Sequence, residues 1–292
     1  MKYSTKYQLL FILPVLLVLI AIIVFPLGYN IYLSLANWNF RVRNSVPEFA
    51  GVSNFLAAFS DARFFNSLGK TFYLITELPL ELLFGLGLAL LLQEEFRGRR
   101  VISSLILVPL ALSDAVVGLV WGLVLVPTYG PFDLFMRTFG LWQVFGYAEP
   151  ISPIIQYPMA SIILADVWQW TPFFFLTLLA AISALPGEPF EAARVDGASS
   201  LQQIRRLTIP MLKPAIGVTL LIRLMDIFKS FGVPYVLTKG GPGFDSEVTS
   251  LYIFYQALQF LNLTYSAALT LIFIVIVSVV LTLFVRIYGF KF

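Results

Sequence analysis

The chain has 292 residues, of which 59% are apolar and 12% are charged, and its net charge is +3. Charged residues are about half as frequent as in soluble proteins, so a soluble domain of this length could not cover its surface. The chain has no cysteine and no histidine, which excludes disulfides, thiolate nucleophiles, Ser-His-Asp triads and the usual zinc sites, and its small net charge argues against nucleic-acid binding.

The expected fold class is all-α, a polytopic membrane protein with about six transmembrane helices. The apolar runs are continuous, whereas barrel strands alternate apolar and polar residues over about ten positions. Each run has about 20 or more residues, which is enough to cross roughly 30 Å of hydrocarbon. The predicted spans are 8–35, 69–92, 101–126, 155–184, 214–237 and 266–286.

The first span is expected to stay in the membrane rather than to be removed as a signal peptide. Its apolar run from Leu9 to Leu27 is longer than a signal-peptide core of about 7–15 residues. We divide the chain into residues 1–65, which hold this span and an external segment, and residues 66–292, which hold the other spans and a cytoplasmic loop at about 185–212.

The distribution of Lys and Arg predicts that both termini are cytoplasmic. With the N-terminus inside, eleven of these residues fall on the cytoplasmic side and six fall outside. The cytoplasmic side of a membrane protein carries the excess of Lys and Arg. Arg97, Arg99 and Arg100 in one short loop give the strongest single indication.

The second span carries Glu77 and Glu81, which are four residues apart and share one helix face. A charged residue inside a membrane marks a functional site by default. We expect these two acids to bond within the chain, to Tyr73, Lys70 or another span, with contact to a solute as the alternative.

A short sequence at the start of the same span resembles the end of a P-loop. It reads Gly69-Lys70-Thr71, but the motif requires a glycine at position 64, where Phe64 stands. The chain is therefore not expected to bind ATP, and no cofactor or metal ion is expected in it.

The third and fourth spans contain the single acids Asp114 and Asp166. The fourth span also contains Trp168, Gln169 and Trp170 near its middle. Aromatic faces and amides are typical of sites for hydroxyl-rich solutes, so these three residues are candidates for a substrate pathway. Packing in the protein core or against lipid is the alternative.

The loop after the fourth span predicts a short helix on the membrane surface. Pro186 and Gly187 end the span, and Pro189 suits the first turn of a new helix. Glu188 and Glu191 would stabilise the same helix N-terminus through the helix dipole.

The end of this short helix is predicted at Gly197, which adopts a left-handed conformation easily. Ser200 and Gln203 are then expected to form a capping box for the next helix. The small face of Ala192 and Ala193 suits a groove on a soluble partner, while an ordinary interfacial helix is the alternative.

The loop resembles the cytoplasmic EAA loop of ABC-importer permeases. Glu191-Ala192-Ala193, Gly197 and Leu207-Thr208-Ile209-Pro210 have the spacing of that motif, with Leu207 for Ile and Ile209 for Leu as the departures. The resemblance implies the fold of type I importer permeases and implies that Glu191, Ala192, Ala193, Asp196 and Gly197 dock an ATPase.

Other segments resemble the carbohydrate-uptake branch of this family, the maltose and glycerol-phosphate type. A departure is Phe231-Gly232, where this branch often has Phe-Asp. The segments that carry the likeness are Gly51–Phe55, Trp168–Phe173, Asp196–Ser199 and Leu237–Gly243.

The resemblance implies a permease of the inner membrane of a bacterium or archaeon that imports a sugar, oligosaccharide or polyol. It implies four kinds of partner besides lipid: a second homologous permease, two cytoplasmic ATPase subunits that hold ATP and Mg²⁺, an external solute-binding protein and the solute.

The fifth span carries Arg223, Asp226 and Lys229 at intervals of three residues. We expect Asp226 to pair with Arg223 or Lys229, and the stripe to face the protein interior rather than lipid. The remaining cation has Glu77, Glu81 and Asp166 as candidate partners. Internal pairing, a polar lining for the solute and contact with the second permease all remain open.

Two other classes of protein fit the sequence less well. A secondary transporter or channel usually has two internal halves or a complete pore, and this chain has no internal repeat. An intramembrane enzyme would need catalytic spacing among its acids, which Glu77, Glu81, Asp114 and Asp166 lack.

Overall fold

The computed structural model describes residues 5–289. Within that part of the chain, five helices are long and apolar enough to cross a membrane, and a sharply bent pair of shorter helices brings the number to as many as six. The long helices are the first span, Phe11–Ser34; the second, Ala62–Leu91; the fourth, Pro158–Ser183; the fifth, Ser200–Phe228; and the sixth, Leu263–Tyr288.

The third span is not the straight helix predicted over 101–126. Arg99–Ala111 and Asp114–Val124 meet at an angle of 102°. Pro109 lacks the N–H that an α-helix needs at this point, so the chain tightens into the 3₁₀ turn Pro109–Ala111. Leu112 and Ser113 are then extended, and a new helix begins at Asp114.

The fifth span also differs from the prediction of 214–237. Its helix begins at Ser200 and ends at Phe228, and the following residues form the separate helix Gly232–Leu237. The π-helical turn Ile204–Thr208 ends two residues before Pro210, and the turn Ile20–Val24 ends two residues before Pro26 in the first span. The wider turn accommodates a proline that cannot donate to the helix ladder.

Short elements connect these spans, and the long helices are themselves divided where a turn changes type. The segments of the longer helices are Thr5–Leu19, Phe25–Ser34, Ala62–Leu74, Glu77–Leu91, Arg99–Leu107, Ser200–Gln203 and Ile209–Phe228. The connecting helices are Ser53–Phe59, Pro131–Thr138, Leu141–Val144, Pro153–Gln156, Glu188–Val195 and Thr249–Phe254, and Tyr255–Gln259 is π-helical. Two strands, Ala36–Asn37 and Glu48–Phe49, pair antiparallel with Ala36 opposite Phe49.

The chain forms two compact units, of which one holds the residues up to Phe64 together with Tyr252–Ser278. Here the Asp61 carboxylate accepts hydrogen bonds from the hydroxyls of Tyr252 and Tyr265, the latter at 2.6 Å, and from the backbone N–H groups of Arg63 and Phe64. Burial would raise the pKa of Asp61, but these hydrogen bonds hold that pKa below its usual value.

The other unit holds Phe65–Leu251 and the residues from Val279 onward. Its second and fourth spans pack closely, because Gly85 leaves space for Phe174: a Cβ built on Gly85 would lie 2.3 Å from the Phe174 Cβ. Gly118 likewise leaves space for Val236, whose Cβ would lie 2.9 Å from a Cβ built on Gly118. These glycines bring backbones together as small residues do in membrane helix pairs.

Candidate functional site

Arg223 lies at the centre of a buried cluster of charges in the second unit. Its Nε donates to both carboxylate oxygens of Glu81 at 3.0 Å, and its Nη2 donates to Glu77 Oε2 at 3.0 Å and to Asp166 Oδ2 at 3.3 Å. The Trp170 ring covers the guanidinium, with 4.6 Å from Arg223 Cζ to the ring centroid. We call these five residues the Arg223 cluster.

The cluster joins three spans through one side chain. Glu77 and Glu81 come from successive turns of the second span, Asp166 from the fourth and Arg223 from the fifth, and all four are buried. A planar guanidinium with five N–H donors can serve several carboxylates at once, which an ammonium group does less well. The prediction that Glu77 and Glu81 bond to another span is therefore met by Arg223.

The cluster contains more carboxyl groups than cations. One guanidinium balances one carboxylate, so a neutral cluster requires protons on the other two carboxyl groups. Glu77 Oε1 is buried and has no hydrogen-bond partner among the described residues. The ion pairs of the cluster connect three spans, and no group of three or more acids in residues 5–289 is placed to hold a metal ion.

Asp226 and Lys229 form a separate pair at the end of the fifth span. Lys229 Nζ lies 3.0 Å from Asp226 Oδ1, so the predicted pairing is present. That the whole stripe faces the permease interior rather than lipid stays a prediction for Lys229, whose side chain is 69% exposed in the isolated chain. The side chain is exposed because the helix ends at Phe228, which places Lys229 beyond the helix rather than in its middle.

A small cavity of about 110 Å³ connects this pair with the cluster. Charged and hydroxyl groups dominate its lining, which suits water or part of a hydroxyl-rich solute. The lining residues are Asp114, Asp166, Trp170, Arg223, Asp226, Lys229 and Ser230.

Trp168, Gln169 and Trp170 point to three different surroundings. Gln169 is buried, and its Nε2 donates to Leu112 O and to Asp114 Oδ1, both at 3.1 Å, which holds the break of the third span in place. Trp168 packs edge-on against Trp121 in a large apolar groove of about 760 Å³. Of the three, only Trp170 faces the small polar cavity.

Asp114 was a single acid in the sequence, and the structure gives it a defined place. It is the first residue of the helix after the break, where an acid is favoured by the helix dipole. Pro109 followed by Ser113-Asp114 is the sequence signal of a helix that stops and of a new helix that starts.

The loop after the fourth span contains the predicted surface helix, Glu188–Val195. Glu188 and Glu191 lie in its first turn and Arg194 in its last, and none of its residues is buried. Gly197 has φ +76, so the predicted left-handed ending is present. The capping box forms one residue earlier than predicted, between Ser199 and Gln202.

An open cleft of about 790 Å³ lies beside this helix. Phe190, Glu191 and Arg194 contribute to it from the helix, and Gln93 and Glu94 from the end of the second span. The helix therefore presents acidic and small residues to solvent next to a recess of mixed polarity.

Comparison with known proteins gives a consistent picture. Residues 81–291 match the family described as the binding-protein-dependent transport system inner membrane component. The trehalose/maltose transport system permease protein MalF of Thermococcus litoralis is 35% identical over 258 residues, which are 87% of this chain and 84% of the relative. The sulfoquinovosyl glycerol transport system permease protein SmoG of Agrobacterium fabrum is 30% identical over 284 residues, which are 97% of this chain and 90% of the relative.

A solved structure has the same fold. It is the crystal structure of a bacterial ABC transporter involved in the import of the acidic polysaccharide alginate, and one of its chains matches with a TM-score of 0.80. The sequences are 22% identical, and the match covers 97% of this chain and 96% of that chain. The predicted all-α permease fold is therefore confirmed.

Proposed function

Because the chain belongs to the family of binding-protein-dependent transport system inner membrane components, we propose that it is the permease subunit of an ATP-driven importer for a sugar, an oligosaccharide or a polyol. The names of the Thermococcus litoralis and Agrobacterium fabrum relatives support this solute class, because trehalose, maltose and sulfoquinovosyl glycerol are all glycosides.

The observation that carries the proposal is the exposed Glu188–Val195 helix, which ends at a left-handed glycine. An ATPase subunit docks on this helix through Glu191, Ala192, Ala193, Asp196 and Gly197. The adjacent cleft receives part of the same partner. ATP and Mg²⁺ bind to the partner chains, because this chain has no P-loop.

The complete importer contains a second homologous permease, two ATPase subunits and an external solute-binding protein. The chain spans the inner membrane with both termini in the cytoplasm, so the Glu188–Val195 helix faces the ATPases. This orientation follows from the excess of Lys and Arg in the loops assigned to that side.

We assign the solute pathway to the small polar cavity at the end of the fifth span. Trp170 offers an aromatic face, and Asp226, Lys229 and Ser230 offer hydrogen-bonding groups. Gln169 positions this wall, because its Nε2 donates to Leu112 O and to Asp114 Oδ1. Arg223 uses Nε and Nη2 for Glu81, Glu77 and Asp166, and its Nη1 remains to donate to a solute.

The test is uptake of radiolabelled maltose into proteoliposomes that contain the purified complex. We expect uptake only with ATP and the binding protein, and we expect no ATP hydrolysis by the chain on its own. ATP-independent uptake by the isolated chain would instead favour a secondary transporter.

A further inference from the structure

A further concave site lies where the second span and the fourth span begin. It is a groove of about 600 Å³, and under the topology proposed above both span starts face the outside of the cell. We call it the outer groove. Its polar and aromatic lining consists of Asn66, Lys70, Tyr73, Gln156, Tyr157 and Asp245.

The lining combines aromatic faces with hydrogen-bond donors and hydrogen-bond acceptors. Tyr73 and Tyr157 are 53% and 50% exposed, so their rings are open to a ligand. Lys70 supplies donors, Asp245 supplies acceptors and the amide of Gln156 supplies both. Small-molecule sites typically combine apolar contact with a few such polar groups, and a sugar ring offers the matching C–H faces and hydroxyls.

Most of these polar groups are not used by the fold. In residues 5–289, the side chains of Lys70, Tyr73, Gln156 and Asp245 make no hydrogen bond or ion pair with the chain. Asn66 is different, because its Nδ2 donates to Phe244 O at 3.0 Å and so holds one wall of the groove. The free groups would keep their hydrogen-bonding capacity for a ligand.

The residues that the second span contributes to the groove lie on its polar face. Asn66, Lys70, Tyr73, Glu77 and Glu81 follow one another at intervals of four, three, four and four residues, which places them on one side of the helix. The lower end of this face is the Arg223 cluster. A solute in the outer groove would therefore lie at the start of the polar face and not on a surface that contacts lipid tails.

We propose that the outer groove binds one sugar unit of the incoming solute before the solute enters the membrane interior. This inference rests on the proposed function of sugar import. Tyr73 and Tyr157 contact the faces of the ring, Lys70 and Asp245 bind its hydroxyls, and the hydroxyl of Tyr147 pairs with that of Tyr157 and fixes its position.

The absence of cysteine in the chain allows a direct test. Gln156→Cys places the only thiol of this subunit in the groove, where a membrane-impermeant maleimide labels it in the purified complex. Maltose and trehalose are added separately, without ATP or binding protein. At a sugar concentration about four times the Kd, we expect the labelling rate to fall about fivefold, because only the free groove reacts.

Two further variants make the test specific to the groove. Tyr129→Cys is the matched control, since Tyr129 is 82% exposed and does not line the groove, and sugar should not slow its labelling. Adding Tyr73→Ala and Lys70→Met to Gln156→Cys should abolish the protection by sugar.

The possible results separate this inference from the proposed function. If neither sugar protects Gln156→Cys, the outer groove is not a sugar site, even where the same complex imports maltose with ATP. A parallel sample receives sugar-free binding protein in place of sugar, and protection there, with none from sugar alone, would show that a protein occupies the groove and would also overturn the inference. Protection by sugar in a complex that shows no ATP-driven uptake would support the groove and remove the proposed function.

Discussion

Arg223 is held by carboxyl groups from two other spans, so the effect of changing it can be predicted. In Arg223→Met, three acids would remain buried without a cation. Breaking a buried ion pair by removing one partner typically costs about 3–5 kcal/mol. We expect this variant to lose most of its assembled protein, measured as the yield of monodisperse complex and its melting temperature in detergent.

Glu77→Gln is the control for this prediction. Its amide has nearly the shape of a protonated carboxyl, and Glu81 would still hold Arg223 through two hydrogen bonds. Glu77→Gln should therefore stay close to the wild type in both measurements. Equal decreases of yield and melting temperature in Arg223→Met and Glu77→Gln would contradict the view that Arg223 is the centre of the cluster.

The Asp226–Lys229 pair should contribute little to stability. Exposed ion pairs are worth about 0–1 kcal/mol, and the Lys229 side chain is 69% exposed. Asp226→Asn should lower the melting temperature no more than the double variant with Lys229→Gln does. If the pair lines the solute pathway, both variants should slow uptake, so stability and uptake are measured on the same preparations.

The partners of Arg223 show where sequence reasoning stops at the scale of a residue. Spacing along one helix predicts that Asp226 is within range of Arg223 and Lys229, and Asp226 pairs with Lys229. Spacing does not show which acids on other helices lie opposite Arg223. Those contacts depend on the rotation of the second and fourth spans about their axes and on the packing between them, to which the close contact of Gly85 with Phe174 contributes.

The packing of the second span against the fourth gives a prediction at the scale of an element. Gly85→Ala would place its Cβ 2.3 Å from the Phe174 Cβ, so the two helices must move apart. Overpacking of this kind costs about 1–3 kcal/mol. We expect a lower melting temperature for the purified chain.

Gly87→Ala lies on the same helix and meets no atom within 4 Å. It should leave the melting temperature unchanged or raise it slightly, since alanine favours helix over glycine. If both variants lower the melting temperature equally, the effect comes from replacing a glycine and not from the contact with Phe174.

The Glu188–Val195 helix gives a second prediction at this scale. Gly197 has φ +76 and open space around its Cα, so substitution there strains the backbone rather than the packing. Gly197→Trp should abolish ATP-driven uptake and leave membrane assembly largely intact. Glu191→Ala should act more mildly, because it removes only one carboxylate near the helix N-terminus.

Two variants control for this interpretation. Gly187→Ala lies in the same loop, with open space but with φ −73, and should be neutral. Gly197→Asn should keep part of the uptake, because asparagine tolerates the left-handed conformation. Normal uptake by Gly197→Trp would remove the main support for docking at this helix.

The sequence predicts the start or end of a helix well where it contains a single capping or stop signal, and less well where it contains two. Ser199-Ser200 and Gln202-Gln203 offer two overlapping capping boxes, and the chain uses the first. The third span looked continuous because its apolar residues run through the break. The bend depends on Pro109 and on the Gln169 amide from another helix, which no local pattern reveals.

The orientation of the whole molecule is tested by reporters at its ends. An alkaline phosphatase fused after Phe292 should be inactive and a green fluorescent protein at the same point should fluoresce, because both termini are expected in the cytoplasm. A phosphatase fused after Tyr129 should be active. The reverse pattern would place the Glu188–Val195 helix outside the cell, away from any ATPase.

The fifth span runs from Ser200 to Phe228 as one helix with a π-helical turn at Ile204–Thr208, and its length has a mechanical consequence for the whole molecule. From the cap at Ser199 to Arg223 there are 24 residues (223 − 199), or roughly 36 Å of helix. A lever of that length turns a tilt of roughly 5° at the capped end into a sideways displacement of roughly 3 Å at the guanidinium. That displacement is comparable to the 3.3 Å between Arg223 Nη2 and Asp166 Oδ2, so we expect a small rotation at one membrane face to change the contacts of Arg223 far from it.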